Sequence, residues 1–382
     1  LTRSFLKERG YPSAATDLSE DVTLDEAGLG LDSIDRLALV GRVNQMFHLY
    51  ETGIEDNLLR FRQLGQWTDL VVDARAQYNT CLSFFTSGST DAPKACPHPL
   101  ASLWQEATAL CQLLPVAPRR VLALVPCHHL YGFVWTVLLP KVLAVPVQAV
   151  PAGQVPPLLP GDLLVSVPTL WQFWLEARLL FPAGCVAVTS GGPCPEDVLA
   201  GLHAAQVAYV LDVHGASETG AIGLRRLDET PTETAEAIIQ WPYTLLPHWK
   251  RLDSCHIQRQ GLEDALPQAL PDVVQWHDDQ RYSLLRRQDA AVQVGGVNVF
   301  PQRVAQCFRL HPSVADCAVR LSAETGCLKA LVVLQNGLVP NSTVETALQQ
   351  WAHQHLAPQE RPRSVVFAHA LPVNEMGKLR DW

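Results

Sequence analysis

One segment of the sequence sets several phosphate-binding groups in a row: Thr86-Ser87-Gly88-Ser89-Thr90-Asp91-Ala92-Pro93-Lys94. Hydroxyls, backbone amides and a lysine on a strand-to-helix loop can surround phosphate oxygens. Ser/Gly-rich polar turns are common, but this order of residue types is rare, and it is not the glycine-rich loop that ends in Gly-Lys-Ser/Thr. Pro126–Gly132 places His128 and His129 beside Tyr131, and Ser190-Gly191-Gly192-Pro193 is a glycine turn. His214-Gly215-Ala216-Ser217-Glu218 puts a flat ring, a hydroxyl and a carboxylate within five residues, and Leu371–Lys378 closes on Gly377-Lys378. Alone, the histidine pair reads as a hydrogen-bonded core feature, and the Gly-Lys as a solvated tail.

Three kinds of chain carry these groups. Up to Tyr78 the pattern is helical and acidic. Leu1–Gly10 reads as one helix and Asn57–Val72 as a short helical region. Ile34–Tyr50 is the clearest helix, with Ile34, Leu37, Val40, Val43 and Phe47 at helical spacing and Asp32 and Ser33 at its N-cap. From Asn79 to about Arg286, short apolar runs (Cys81–Phe85, Val121–Val125, Leu163–Val167, Val186–Thr189, Val207–Val213) alternate with helical stretches such as Leu100–Leu114 and Cys194–Ala205. That alternation predicts an α/β sheet domain. Beyond about Ala290, strands Val314–Leu321 and Ala330–Leu334 mix with helices Gln302–Leu310 and Val344–His355, as in a small α+β domain. The expected architecture is therefore multidomain: a helical bundle over 1–78, an α/β large domain over 79–288 and a small α+β domain over 289–382.

With 382 residues, 48% hydrophobic, the chain can build packed cores. A formal net charge of -9, with no basic cluster to offset it locally, excludes nucleic acid as the expected partner. The apolar stretch Val121–Val150 is broken by His128, His129, Lys141 and prolines, so no membrane span is expected. Leu1–Gly10 lacks an apolar signal core. A cytoplasmic location is expected, with the ten cysteines reduced, since none forms a Cys-x-x-Cys pair or a zinc-spaced cluster.

The order of these motifs resembles the adenylate-forming superfamily of acyl-CoA synthetases, adenylation domains and luciferases, over about Asn79–Trp382. The phosphate loop there reads T-S-G-[ST]-T-G-x-P-K, and Asp91 stands here in place of its last glycine. The resemblance assigns Thr86, Ser87, Gly88, Ser89, Thr90 and Lys94 to ATP phosphates. It assigns His129, Tyr131 and Gly132 to the acid pocket, with His129 also counted as catalytic, and Gly191 and Gly192 to the adenine. His214 takes the place of the family's adenine-stacking tyrosine and Gly215 follows it. Ser217 takes the place of the threonine that meets the α-phosphate, and Glu218 that of the glutamate that binds Mg²⁺. Asp272 corresponds to the ribose-gripping aspartate, although Pro271 precedes it instead of glycine. Arg287 corresponds to the arginine that reaches ribose or phosphate, although Arg286 precedes it instead of glycine. Asp289 corresponds to the hinge, Gly295 and Gly296 to the pantetheine tunnel, and Lys378 to the catalytic lysine.

Residues 1–78, with Gly30-Leu31-Asp32-Ser33-Ile34 opening the clearest helix, resemble acyl and peptidyl carrier proteins. That resemblance makes Ser33 the attachment point of 4′-phosphopantetheine. Together the two resemblances imply an acid:carrier-protein ligase that is short of the family's usual N-terminal subdomain. It would use ATP and Mg²⁺ to activate a small carboxylic acid and load its own or a separate carrier, with a downstream synthase or transferase as partner and a homodimer possible. The alternatives are an acyl- or aryl-CoA ligase that releases a free thioester, and a non-catalytic carrier and docking protein. No acidic residue lies in Val125–Val137 to hold an α-ammonium, which points away from amino acids. Tyr131, Phe133 and Trp135 suit an aryl acid, and equally suit core packing.

Overall fold

The computed structural model describes residues 1–9, 11, 18–85, 94–151, 153–192, 194–227, 241–262, 265–287, 292–294, 297–322, 325–374, 378–380 and 382. These form two compact bodies. The first comprises Leu1–Leu252 and Ile257–Gln268, the second Asp253–His256, Ala269–Asn374 and Lys378–Trp382.

The first body opens with helices α1 (Thr2–Glu8), α2 (Ser33–Phe47), α3 (Asn57–Arg60) and α4 (Leu64–Gln77). Asp32 caps α2 through its side chain, which accepts from the Asp35 amide at 2.7 Å. At its other end His48 takes φ 55°, and a single 3₁₀ turn, Leu49–Glu51, follows. Helix α2 is therefore shorter than the expected Ile34–Tyr50, and its apolar stripe is only half core. Ile34 and Leu37 are 74% and 57% exposed, while Leu39, Val40, Val43 and Met46 are buried. Phe5, Leu6, Leu39, Val43, Leu58, Trp67 and Leu70 close a common core. The His48 ring is hydrogen-bonded through Nδ1 to the Tyr50 hydroxyl at 2.7 Å and through Nε2 to Ser83 Oγ at 2.9 Å. Arg75 Nη1 donates to the Cys81 carbonyl at 2.7 Å. Both bonds fasten residues 1–78 to the strand that follows them.

That strand, β1 (Cys81–Phe85), pairs antiparallel with β2 (Ala95–Pro99) and leads through it into α5 (Leu100–Leu113). The central sheet of this body is formed by β3 (Arg120–Ala123), β4 (Val147–Ala149), β5 (Asp162–Ser166), β6 (Val186–Thr189), β7 (Tyr209–Ala216), β8 (Gly220–Leu227) and β9 (Tyr243–Leu245), in the order β9-β8-β7-β6-β5-β3-β4. The five strands from β4 to β7 are parallel, and β8 and β9 run antiparallel to their neighbours. Every residue of β5 and β6 is buried, which explains their continuous apolar runs. The one carboxylate in them, Asp162, is fully buried and receives Arg120 Nε and Nη2 at 2.7 and 2.8 Å. Helices α8 (Pro168–Glu176) and α9 (Glu196–Ala204) cover the sheet, and Trp171, Trp174, Leu199 and Leu202 pack on Leu122, Leu164, Ala187 and Val210. Strand β10 (Trp249–Arg251) pairs antiparallel with β11 (His256–Arg259).

In the second body, β12 (Gln268–Ala269) precedes the antiparallel hairpin of β13 (Asp272–Trp276) and β14 (Arg281–Arg287), and β15 (Val292–Val294) pairs with β16 (Val297–Val299). A three-stranded sheet follows, in the order β17 (Val314–Leu321), β18 (Leu328–Leu334), β19 (Ser364–Ala368). Helices Pro301–Arg309 and Ser342–His355 bury Val304, Phe308 and Leu348 on it. No described helix is long and apolar enough to cross a membrane.

Candidate active site

The parallel strands deliver the motifs to one edge. Ligands in open α/β sheets bind beyond the carboxyl ends of the strands. Ser166, Thr189 and Asp212 are in register across β5, β6 and β7. Just past these ends β3 runs into Pro126–Gly132, β6 into Ser190–Gly192, and β7 carries His214–Ala216 at its own end. Residues distant in sequence thus meet for a topological reason.

At the first of these ends, His129 is the N-cap of a short helix, α6 (Leu130–Phe133), which continues as a π-helical turn, Val134–Leu138. The His128 and His129 rings lie 4.3 Å apart. Burial, with smaller contributions from nearby positive charges, pushes His128 down to about 2, so it is neutral at pH 7. Gly132 has no room for a side chain, because a Cβ there would stand 2.1 Å from the Pro126 carbonyl oxygen. The Tyr131 hydroxyl is 3.0 Å from the Ser166 carbonyl and 3.2 Å from that of Val188, and burial raises its pKa well above the ordinary phenol value. Its donor is therefore spent within the protein. Trp135 is 1% exposed and belongs to the core, and Phe133 packs on Phe84 at 5.3 Å.

Gly191 takes φ 89°, and the Ser190 hydroxyl before it donates to the Val213 carbonyl at 2.8 Å, which ties the β6 turn to β7. His214 is buried, with its ring 5.6 Å from that of Tyr243. Glu218 is exposed on the turn that joins β7 to β8, between half-buried Ser217 and buried Thr219. The His98 ring holds this turn by donating from Nε2 to the Ser217 carbonyl at 2.7 Å. A solvent-facing carboxylate suits Mg²⁺, which keeps several waters and takes one or two carboxylates plus phosphate oxygens.

In the second body, Asp272 opens β13 and Arg287 ends β14, in register with each other. Lys378 is half-buried in a tight loop. Its amide donates to Asn374 Oδ1 at 3.0 Å, and its carbonyl accepts from the Asn374 amide at 2.7 Å. Lys94, exposed, begins the run into β2. Thr86, Ser87, Gly88, Ser89, Thr90, Asp91, Asp289, Gly295 and Gly296 lie outside the described residues. Ser33 is exposed at the first position of α2.

Two participants in this region carry no local sequence signal. Glu106 and Arg259, 153 residues apart, meet in the interior beside Thr219. One cysteine cluster also escapes spacing rules. Asp253, Cys255 and His256 bring a carboxylate, a thiol and a ring nitrogen within 4.8 Å of one another. Asp253 accepts from the His256 ring and from the amides of Cys255 and His256, so the turn accounts for the cluster by itself.

A family model described as AMP-binding enzyme matches residues 32–243, and one described as AMP-binding enzyme C-terminal domain matches residues 304–378. The chain belongs to the AMP-binding enzyme family. The first match takes in Ser33 and all of α2, residues that resemble part of a carrier protein. A 4-coumarate--CoA ligase of Halorhodospira halophila is 38% identical to this AMP-binding enzyme over 379 residues, 98% of the chain and 93% of the relative. A 4-coumarate--CoA ligase of Rhodobacter capsulatus is 36% identical over 97% of the chain and 94% of the relative. Among solved structures, ATP-bound MatB from Rhodopseudomonas palustris matches with a TM-score of 0.62 at 18% identity, over 78% of this chain and 66% of that one. The anthranilate CoA ligase AuaEII in complex with anthranoyl-AMP matches with a TM-score of 0.57 at 17% identity, over 78% and 64%. The chain spans about two thirds of the length of these solved structures, whereas the 4-coumarate--CoA ligases are covered almost whole.

Proposed function

We propose that this AMP-binding enzyme is an ATP-dependent ligase that joins an aryl-substituted carboxylic acid of the 4-coumarate kind, with no charge besides its carboxylate, to coenzyme A. The observation that carries the reading is the near end-to-end likeness to relatives named 4-coumarate--CoA ligase, which includes residues 1–78. The fastening of those residues to β1 supports it further, since they share one body with the central sheet. The thiol acceptor is then free coenzyme A instead of an arm on Ser33.

In the first step a carboxylate oxygen attacks the α-phosphorus of ATP, the bond to the β-phosphate oxygen breaks, and pyrophosphate leaves with an acyl-adenylate behind it. Both reactants are anionic, so catalysis consists of alignment and charge compensation. The proposed roles are His214 against the adenine, Ser217 on the α-phosphate, Asp272 and Arg287 on the ribose, and Lys378 on the developing charge. Glu218 would hold Mg²⁺, which would supply positive charge to the phosphates when bound. In the second step the thiolate of coenzyme A attacks the acyl carbon, AMP leaves, and the thioester is released. No carboxylate in Val125–Val137 repels the acid's own carboxylate, and the neutral His128 adds no charge there.

The test is acid-dependent ATP–pyrophosphate exchange across hydroxycinnamates, benzoates, fatty acids and amino acids, followed by detection of free CoA thioester. Exchange and thioester formation with hydroxycinnamates are expected. Exchange confined to amino acids, or acyl groups found only on the protein, would refute the reading.

A further inference from the structure

The turn that carries Glu218 is held by an ion pair buried where water cannot reach it. Glu106 on α5 is 2% exposed and Arg259 on β11 is 7% exposed. Arg259 Nη2 donates to Glu106 Oε2 at 3.3 Å and to the Thr219 carbonyl at 3.0 Å, and Nη1 donates to the Ser102 carbonyl at 3.2 Å. The other carboxylate oxygen, Oε1, accepts from the Ala221 amide at 3.1 Å. Trp249 completes the enclosure. Its Nε1 donates to the Ala221 carbonyl at 2.7 Å, and its ring lies 4.4 Å from the Arg259 guanidinium carbon. Gly220, at φ +78°, is the one residue type that fits, because a Cβ there would stand 2.3 Å from Glu106 Oε2.

Stability alone does not account for this pair. Removing two charges from water is costly, and packed apolar side chains of similar size often hold a fold as well or better. Burial accordingly raises the Glu106 pKa and lowers that of Arg259. What the pair supplies that apolar side chains cannot is direction. Its bonds to the turn end on Thr219 and Ala221, on either side of Gly220 and next to Glu218. We propose that Glu106 and Arg259 are positioning residues that fix the Ser217–Ala221 backbone, so that the Glu218 carboxylate meets Mg²⁺ and nucleotide without reorganisation. Neither residue is assigned a contact with substrate. The role assigned to Glu218 rests on the adenylation reading, whereas the clamp itself rests on geometry.

The double variant Glu106→Leu/Arg259→Met removes the clamp without leaving a lone buried charge, and Glu106→Gln removes only the charge. The wild type and both variants are compared in three ways: hydrogen exchange of the Glu218–Ala221 amides, binding of Mn²⁺ with a non-hydrolysable ATP analogue by electron paramagnetic resonance, and Mg²⁺ dependence of pyrophosphate exchange. In the double variant those amides are expected to exchange at least about tenfold faster, with Leu163–Val165 unchanged. The half-saturating Mn²⁺ and Mg²⁺ concentrations are expected to rise about tenfold, equivalent to about 1.4 kcal/mol, while the KM for the acid stays within about twofold. Glu106→Gln, which leaves the buried Arg259 charge without its counter-charge, is expected to loosen these amides at least as much. Unchanged exchange of Glu218–Ala221 in the double variant overturns the clamp, and faster exchange with unchanged metal dependence overturns its positioning role. A wild type that exchanges pyrophosphate with no acid refutes the adenylation reading separately, since hydrogen exchange and Mn²⁺ binding do not depend on turnover.

Discussion

His98 and Ser217 are 119 residues apart in the chain, yet the His98 ring donates from Nε2 to the Ser217 carbonyl at 2.7 Å. A carbonyl can only accept, so this bond fixes the Nε2–H tautomer. It also joins β2, which follows Thr86–Lys94 in the sequence, to the turn that carries Glu218. Burial is the main cause that holds the His98 pKa below its ordinary value. His98→Ala would leave a carbonyl without its buried donor, at an expected cost of about 1–3 kcal/mol. A denaturant titration measures this, and an unchanged midpoint would mean that the bond contributes nothing.

Other histidines are also held neutral. Burial lowers His128 to about 2 and His248 to about 3, with the Arg259 charge adding to the effect at His248. In the unfolded chain both titrate near 6.5. Between these values the unfolded state binds protons that the folded state does not. Stability is therefore full above about pH 6.5 and is lost as pH falls towards 3, by at most about 1.4 kcal/mol per pH unit for each histidine. Thermal unfolding from pH 7.5 to 5 is expected to show a falling Tm, with a shallower slope in His248→Gln. Equal slopes would show that His248 takes no part.

Ser33 and Asp32 separate a helix cap from an attachment site. Asp32 supplies the capping oxygen, and Ser33 stands exposed beside it. Asp32→Ala is expected to cost about 1 kcal/mol. Ser33→Ala is expected to change neither stability nor CoA-thioester formation by a measurable amount. Intact-protein mass after co-expression with a phosphopantetheinyl transferase decides the alternative, because a gain of the arm's mass on wild type but not on Ser33→Ala would restore the carrier reading.

Much of the fold could be read from local pattern. Strands Cys81–Phe85, Val186–Thr189 and Val314–Leu321 fall where apolar runs put them, and helix Leu100–Leu113 differs from expectation by one residue. Residues 1–78 illustrate the limit. Their helices are real, but helical spacing does not reveal what a helix faces. Ile34 and Leu37 fit the stripe and are exposed, whereas Leu39 and Met46 are buried by tertiary packing. Nor does local pattern reveal that His48 reaches Ser83, the bond that makes these helices part of a larger body. The motifs at the ends of β3, β6 and β7 were legible because each is contiguous. Glu106 and Arg259 were not, since they come together only once the sheet has formed.

Gly132 tests whether the histidine segment must approach its own chain so closely. A methyl group at this position would stand 2.1 Å from the Pro126 carbonyl oxygen, which is backbone and cannot swing away. Gly132→Ala is expected to displace Pro126–His129, to cost about 1–3 kcal/mol through overpacking, and to raise the KM for the acid more than that for ATP. Steady-state kinetics with each substrate varied in turn give the comparison. Equal effects on the two KM values would place the strain outside the acid pocket.

In the proposed mechanism Lys378 separates the two chemical steps. The proposal gives it the charge that develops as pyrophosphate leaves, and gives it no part in thiol attack on the adenylate. Its backbone is bound to Asn374 through both amide and carbonyl, bonds that truncating the Lys378 side chain leaves in place. Lys378→Ala is therefore expected to fold normally and to lose about 10²–10³-fold in adenylation, the usual cost of removing one aimed donor. Given chemically prepared acyl-adenylate and coenzyme A, the same variant is expected to form thioester within about threefold of wild type, because the barrier that Lys378 lowers has already been passed. Pyrophosphate exchange reads the first step and thioester formation from the adenylate reads the second. An equal loss in both would mean that Lys378 maintains the second body instead of acting on the phosphates, and Asn374→Ala, which removes the loop bond but keeps the ammonium, would then reproduce the defect.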